Sequence, residues 1–184
     1  MRAFIPLIGI PVYAVWNAAV TMWVLRHARV RSFGPLAVSD LGERISSGPE
    51  RLRPETRRLI LRSVNEVIIR SADAHPNFIL LVNYLSKELE TAPRDLRPNW
   101  EADRELLKAL DERQQRAVLQ TIATAVVIDG RIEKHELALL ADAHRTCGRP
   151  FQPEAVHRLR TLFMDGQGIS ENALDGLSRS YAEA

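Results

Sequence analysis

The residues of this chain best suited to chemistry stand in one short acidic turn, Asp129-Gly130-Arg131-Ile132-Glu133, with Glu136 three positions on. Three carboxylates so close together could hold a hard cation, which takes oxygen ligands. Asp129, Glu133 and Glu136 are therefore the candidate metal ligands. The same residues could serve the backbone instead. Gly130 permits a left-handed conformation that strains other residues. Asp129 can accept hydrogen bonds from the free amides at the start of a following helix, where its charge also suits the dipole. Ile132 would drop between the helices, and Glu133 and Glu136 would fall in the first turns of the second. Capping is the preferred role, because coordination normally recruits more oxygens than this. Glu136 is expected at the surface.

The turn also matches the second half of an EF-hand loop, but the first half fails. Its opening ligand positions would be Ala125 and Val127, which offer no side-chain oxygen, so a tight calcium site of that kind is excluded. His135-Glu136 lacks the second histidine of the zinc-protease pattern, since position 139 is leucine. His135 and His144 point different ways on an ideal helix. The single cysteine, Cys147, excludes an internal disulfide, and a helix C-terminus is the wrong end to lower its pKa. With no glycine-rich phosphate loop and no nucleophile elbow, the chain is expected to be no enzyme and to need no cofactor.

These residues need elements to hold them. The 184 residues suffice for one ordinary core plus an extension. Pro54 suits a helix start, and Leu59, Ile60, Val64 and Val67 recur at helical spacing as far as about Ala72. Pro76 opens a second helix, and 91–98 reads as a loop. Asn99 caps a short helix to Leu110, and Asp111 with Gln114 begins one through Ile128. Glu133–Thr146 comes next, with Gly148 placed as its left-handed terminator. Pro153 and Ser170 open the last two, to Met164 and Ala182. No stretch alternates with period two, so the fold class is all-α: an N-terminal hydrophobic helix, a linker, then a multi-helix bundle.

Residues 3–25 carry no charge and include Tyr13, Trp16 and Trp23, aromatics typical of a membrane interface. Arg26, Arg29 and Arg31 then form a basic collar. Residues 1–31 are thus expected to associate with a membrane, the arginines keeping the rest of the chain in the cytoplasm, at the inner membrane. Pro6 and Pro11 should hold the first ten residues out of a regular helix. Gly34-Pro35, Gly42 and Ser46-Ser47-Gly48-Pro49 mark 32–53 as a linker with one short helix around Ala37–Ile45, leaving 54–184 as the helical domain. From Arg26 to Arg62 there are nine basic and four acidic residues, and from Glu101 to Asp142 six basic and nine acidic. So uneven a distribution argues against a nucleic-acid partner.

Leu110–Leu140 reads LDERQQRAVLQTIATAVVIDGRIEKHELALL, an Ala/Val-rich helix, an Asp129-Gly130-x-Ile132 turn and Glu136 on the next helix. This resembles the TerB-like (tellurite-resistance) family over about 106–181, and Asp165-Gly166 looks like an echo of the same turn. The resemblance implies a helical bundle and involvement in envelope or metal-oxyanion stress. Ile5-Pro6-Leu7-Ile8-Gly9 and Asn17 faintly resemble the EcsC family of membrane-associated proteins. The function expected is a non-enzymatic, membrane-anchored interaction module, its protein partner left open. The alternatives are a soluble helical protein whose first helix docks to a partner or dimerises, and an acidic-site metal-binding protein.

Overall fold

The computed structural model describes residues 5–46, 52–71, 75–91 and 97–178, and for 5–12 and 46 the backbone alone. Proline and short polar side chains set most of the helix starts. Proline opens α2 (Pro54–Arg70), α3 (Pro76–Glu88) and α7 (Pro153–Met164). It has no amide to leave unpaired in a first turn. Asn99 accepts from the Ala102 amide at 3.3 Å to begin α4 (Trp100–Ala109), and Asp111 from Gln114 at 3.0 Å to begin α5 (Glu112–Val127). Then come α6 (Lys134–Thr146) and α8 (Glu171–Asp175), which runs into a 3-10 turn at Gly176–Ser178. Among the described residues there is no strand, so the all-α reading holds. The helix ends expected at Ala72 and Ala182, and the loop at 92–96, lie outside the described residues.

Every residue of α5 from Val118 to Val127 is buried. A helix covered on all sides must be central. Leu59, Ile60, Val64 and Val67 of α2 pack against it, with Leu139, Leu140 and Ala143 of α6 and Val156, Leu159 and Phe163 of α7 completing the core. Gly148 ends α6 as expected, with φ +65°. Its amide reaches Arg145 O at 3.0 Å and that of Arg149 reaches His144 O at 2.9 Å, the paired closure of a Schellman turn. Between α2 and α4, Arg62 Nη2 lies 2.5 Å from the buried carboxylate of Asp103.

The N-terminal third departs from expectation. Ile5–Ser46 is a single 42-residue helix, α1. It starts before both early prolines, not after them. Pro6 stands in its first turn, and Pro11 costs one ladder bond that a long helix survives. The stretch expected as a linker with a short helix at Ala37–Ile45 is helical throughout as far as Ser46, and Val30, Ala37, Val38, Leu41 and Ile45 join the common core. Residues 47–51 lie outside the described residues.

The reason is packing. A Cβ on Gly34 would stand 2.4 Å from Asn77 Cγ, and one on Gly42 would stand 2.1 Å from Tyr84 Cε1. The two glycines are where α3 lies against α1, running in the same direction. They are absences of side chain at a helix contact, not hinges of a linker. Gly34 also precedes Pro35, and a residue without Cβ relieves the clash that drives most pre-proline residues out of the helix.

Before Arg26 the same helix leaves the bundle. From Tyr13 to Leu25 every side chain is exposed, with Trp16 67% and Trp23 60% accessible. Among the described residues, no helix is long and apolar enough to cross a membrane.

Candidate functional site

The acidic turn sits where four helices meet. α5 ends at Val127, and the Gly130 amide returns to Val127 O at 2.9 Å. Gly130 has φ +75°, and a Cβ there would stand 2.7 Å from Val30 of α1 and 2.9 Å from the Met164 sulfur of α7. The turn therefore needs glycine twice, for its backbone angle and for the close approach of α1 and α7. The second Asp-Gly pair is used alike: Gly166 has φ +75°, and its Cβ would meet Phe33 at 2.8 Å. Successive residues on one face of α1 are thus received by the two turns.

Asp129 does not cap α6. Its Oδ1 accepts from the Arg131 amide at 2.8 Å, closing a turn within the loop. Arg131, Ile132 and Glu133 separate Gly130 from the helix. The cap is Glu133, whose own amide donates to Glu136 Oε2 at 2.9 Å. Ile132 is half-buried against the core, as expected.

Glu136 is the main correction. It is not at the surface but 0% exposed. Burial is the chief cause that pushes its carboxyl up to about 7. The Glu133 amide opposes the rise, the charges of Asp129 and Glu133 add to it, and the Ser71 hydroxyl lowers it. The burial was legible. Glu136 stands three, four and seven residues before Leu139, Leu140 and Ala143, so it belongs to the apolar stripe of its helix. The turn thus brings Asp129, Glu133 and Glu136 near one another. Among the described residues, no group of three or more His, Cys, Asp or Glu side chains could hold a metal ion.

Asn77 is a residue the sequence reading passed over. It is buried, and its amide nitrogen donates to Val30 O at 2.9 Å and Ile128 O at 2.8 Å, tying α1 to the end of α5 through α3. The signal for it was positional: Asn77 is four and eight residues before Leu81 and Leu85, on the buried face. Asn77→Ala should lower stability by about 2 kcal/mol, the cost of two lost bonds and an uncovered carbonyl. Urea unfolding measures this, and an unchanged midpoint would show that the bridge does not bear on stability.

Of the other groups considered for chemistry, His135 is exposed, and His144 and Cys147 pack against the core. His144 is buried, its Nδ1 paired with Leu140 O at 2.9 Å and its ring 5.2 Å from that of Phe151. Burial lowers its pKa, with the charge of Arg149 adding to this against the Leu140 carbonyl. Burial pushes the Cys147 thiol up to about 11, only partly offset by Arg149, so it is no activated nucleophile.

What the turn does hold is charge of the other sign. Arg26 Nη2 of α1 donates to Gly130 O at 3.3 Å, and Arg160 Nε of α7 donates to the same oxygen at 2.7 Å. The exposed apolar helix and the acidic turn, separate in the sequence, meet here. Comparison with family models, with curated proteins and with solved structures finds no match.

Proposed function

We propose that this chain is a non-enzymatic, membrane-associated helical module that acts through protein contacts, with its bundle on the cytoplasmic face of the inner membrane. One observation carries the reading: thirteen consecutive uncharged residues, Tyr13–Leu25, are exposed on every face of a helix that is continuous with the core. A helix apolar all round is buried in protein or in lipid. A dimerising or docking helix needs one apolar face and keeps polar residues on the other, whereas here Asn17 and Thr21 are the only strongly polar members. That favours the membrane over the soluble alternative. Tyr13, Trp16 and Trp23 suit the headgroup region. Arg26, Arg29 and Arg31 at the root of the helix favour the cytoplasmic side.

The TerB-like resemblance supplies envelope or metal-oxyanion stress as the setting, though a shared fold does not carry a function with it. Membrane fractionation tests the core of the proposal. The native chain should stay with carbonate-washed membranes, and a chain carrying Val15→Glu and Val20→Glu should move to the supernatant. Both residues are exposed, so the bundle is untouched. Recovery of the native chain in the supernatant would overturn the reading.

A further inference from the structure

His144 keeps one hydrogen-bonding atom in reserve. Its Nδ1 lies 2.9 Å from Leu140 O, a carbonyl that can only accept, so Nδ1 carries the proton and donates it. Burial above all, and then the charge of Arg149, hold the ring below its ordinary pKa against the Leu140 carbonyl. The ring is therefore uncharged at neutral pH, and its Nε2 is an acceptor. Among the described residues no donor reaches that Nε2, although His144 is only 1% exposed. A buried acceptor without a donor is costly, and a ligand that donates to it removes the cost.

The ring borders a pocket of about 310 Å³ at the meeting of α5, α6 and α8, shared with Arg116, Gln120, Arg149 and Asp175. Small-molecule sites run from roughly 300 to 1,000 Å³, so this one suits a compact ligand. At ~30 Å³ per water it has room for about ten water volumes. Local structure places its polar members. Arg116 and Gln120 stand four apart on one face of α5, with Leu119 beside them. The Schellman turn that ends α6 joins the Arg149 amide to His144 O at 2.9 Å, which keeps arginine and histidine side by side. Gln120 Nε2 reaches Asp175 Oδ1 at 3.5 Å, from α5 to α8. Leu119, Leu174 and Leu177 supply the apolar wall.

Arg116 and Arg149 show what they can hold. Their Nη2 atoms lie 4.0 and 3.0 Å from one oxygen, Oε1 of Glu112. The Glu112 side chain is 75% exposed, and an ion pair so exposed adds little. Each guanidinium also has five donors. A carboxylate entering the pocket can thus share the two arginines with Glu112 or displace it.

We propose that this pocket binds a small hydroxy acid with one carboxylate and a short apolar tail. Arg116 and Arg149 take the carboxylate, since guanidinium groups bind carboxylate oxygens in paired hydrogen bonds. His144 Nε2 accepts a hydrogen bond from the hydroxyl, and the three leucines cover the tail. Asp175 repels a second negative charge, which disfavours phosphate and dicarboxylates. None of these residues belongs to α1, so the site stands apart from the membrane reading and gives the bundle a function of its own.

Isothermal titration of the full chain with mandelate and with phenylacetate tests this, because the two acids differ by the hydroxyl alone. Mandelate should bind about tenfold more tightly, the typical effect of a hydrogen bond to a buried acceptor that otherwise has none. Arg116→Gln with Arg149→Gln should weaken both acids about thirtyfold, charged hydrogen bonds being the stronger kind. An unchanged melting temperature confirms that this variant is folded. His144→Asn keeps a donor for Leu140 O and has no acceptor in the place of Nε2, so it should bind the two acids equally.

The native comparison decides even where a variant fails to fold. Equal affinities for the two acids, or no binding of either, would overturn the proposal. So would affinities that the folded arginine variant leaves unchanged, or a preference for mandelate that survives in His144→Asn. Inorganic phosphate binding more tightly than mandelate would mean a site for a mineral anion and would overturn it as well.

Discussion

Glu136→Gln is expected to leave the melting temperature unchanged at pH 5 and to raise it by roughly 5 °C at pH 8. The sign comes from where the proton sits. The folded-state pKa of about 7 lies above the ordinary value of 4.5, so the buried carboxyl stays protonated over a range in which the unfolded chain ionises. Its contribution to stability is fully present below pH 4.5 and is lost as the pH rises through 7. The loss approaches about 3 kcal/mol once both states are ionised. Glutamine keeps an oxygen for the Glu133 amide and carries no charge to desolvate, so it escapes most of that loss. Its amide nitrogen needs a new acceptor, which offsets part of the gain. Melts of the two proteins from pH 4.5 to 8.5 should therefore coincide at the acid end and separate above neutrality. Coincidence throughout would mean that Glu136 is not a buried carboxyl. A rise of the native melting temperature with calcium or zinc, absent in the variant, would make the acidic turn a metal site.

Gly34→Ala should destabilise the fold by about 3 kcal/mol, although alanine normally stabilises a helix by about 1 kcal/mol relative to glycine. The new Cβ would occupy the place of the Asn77 amide, 2.4 Å from its Cγ. That amide cannot step aside without giving up Val30 O and Ile128 O together. The added Cβ also meets the ring of Pro35. Because both changes disable one network, Gly34→Ala and Asn77→Ala should cost less in combination than the sum of their separate effects. A urea double-mutant cycle decides it. A neutral or stabilising Gly34→Ala would restore the reading of Gly34-Pro35 as a linker.

The helix starts at Pro54, Asn99, Asp111 and Pro153 were legible because they are local. A ring or a side-chain oxygen either suits the adjoining amides or does not, and nothing distant alters that. The contact glycines were not legible, since Gly34 and Gly42 look the same whether a helix lies against them or solvent does. Only the arrival of Asn77 and Tyr84, more than forty residues later, distinguishes the two cases. Glu136 and Asn77 stand between these extremes. Each is in register with the apolar stripe of its helix, but a polar residue there is easily taken for an edge. The acidic turn was recognised as a feature, whereas the arginines that converge on it come from α1 and α7 and share no segment with it.

The order in which α1 is synthesised and satisfied has a kinetic consequence. It is synthesised before α3, α5 and α7, the helices it packs against, and the last of these comes late. Arg26 meets Gly130 across 104 residues, and Arg44 donates to Ile169 O across 125. Contacts of such sequence separation close slowly, because the loop entropy is lost before the contact repays it. Through most of translation the face with Val30, Val38 and Leu41 has no core to enter, while the uncharged stretch ahead of it is already complete. On the membrane reading proposed above, nascent chains held by that stretch would await α7 with an unpaired apolar stripe, and early release would expose the stripe to aggregation.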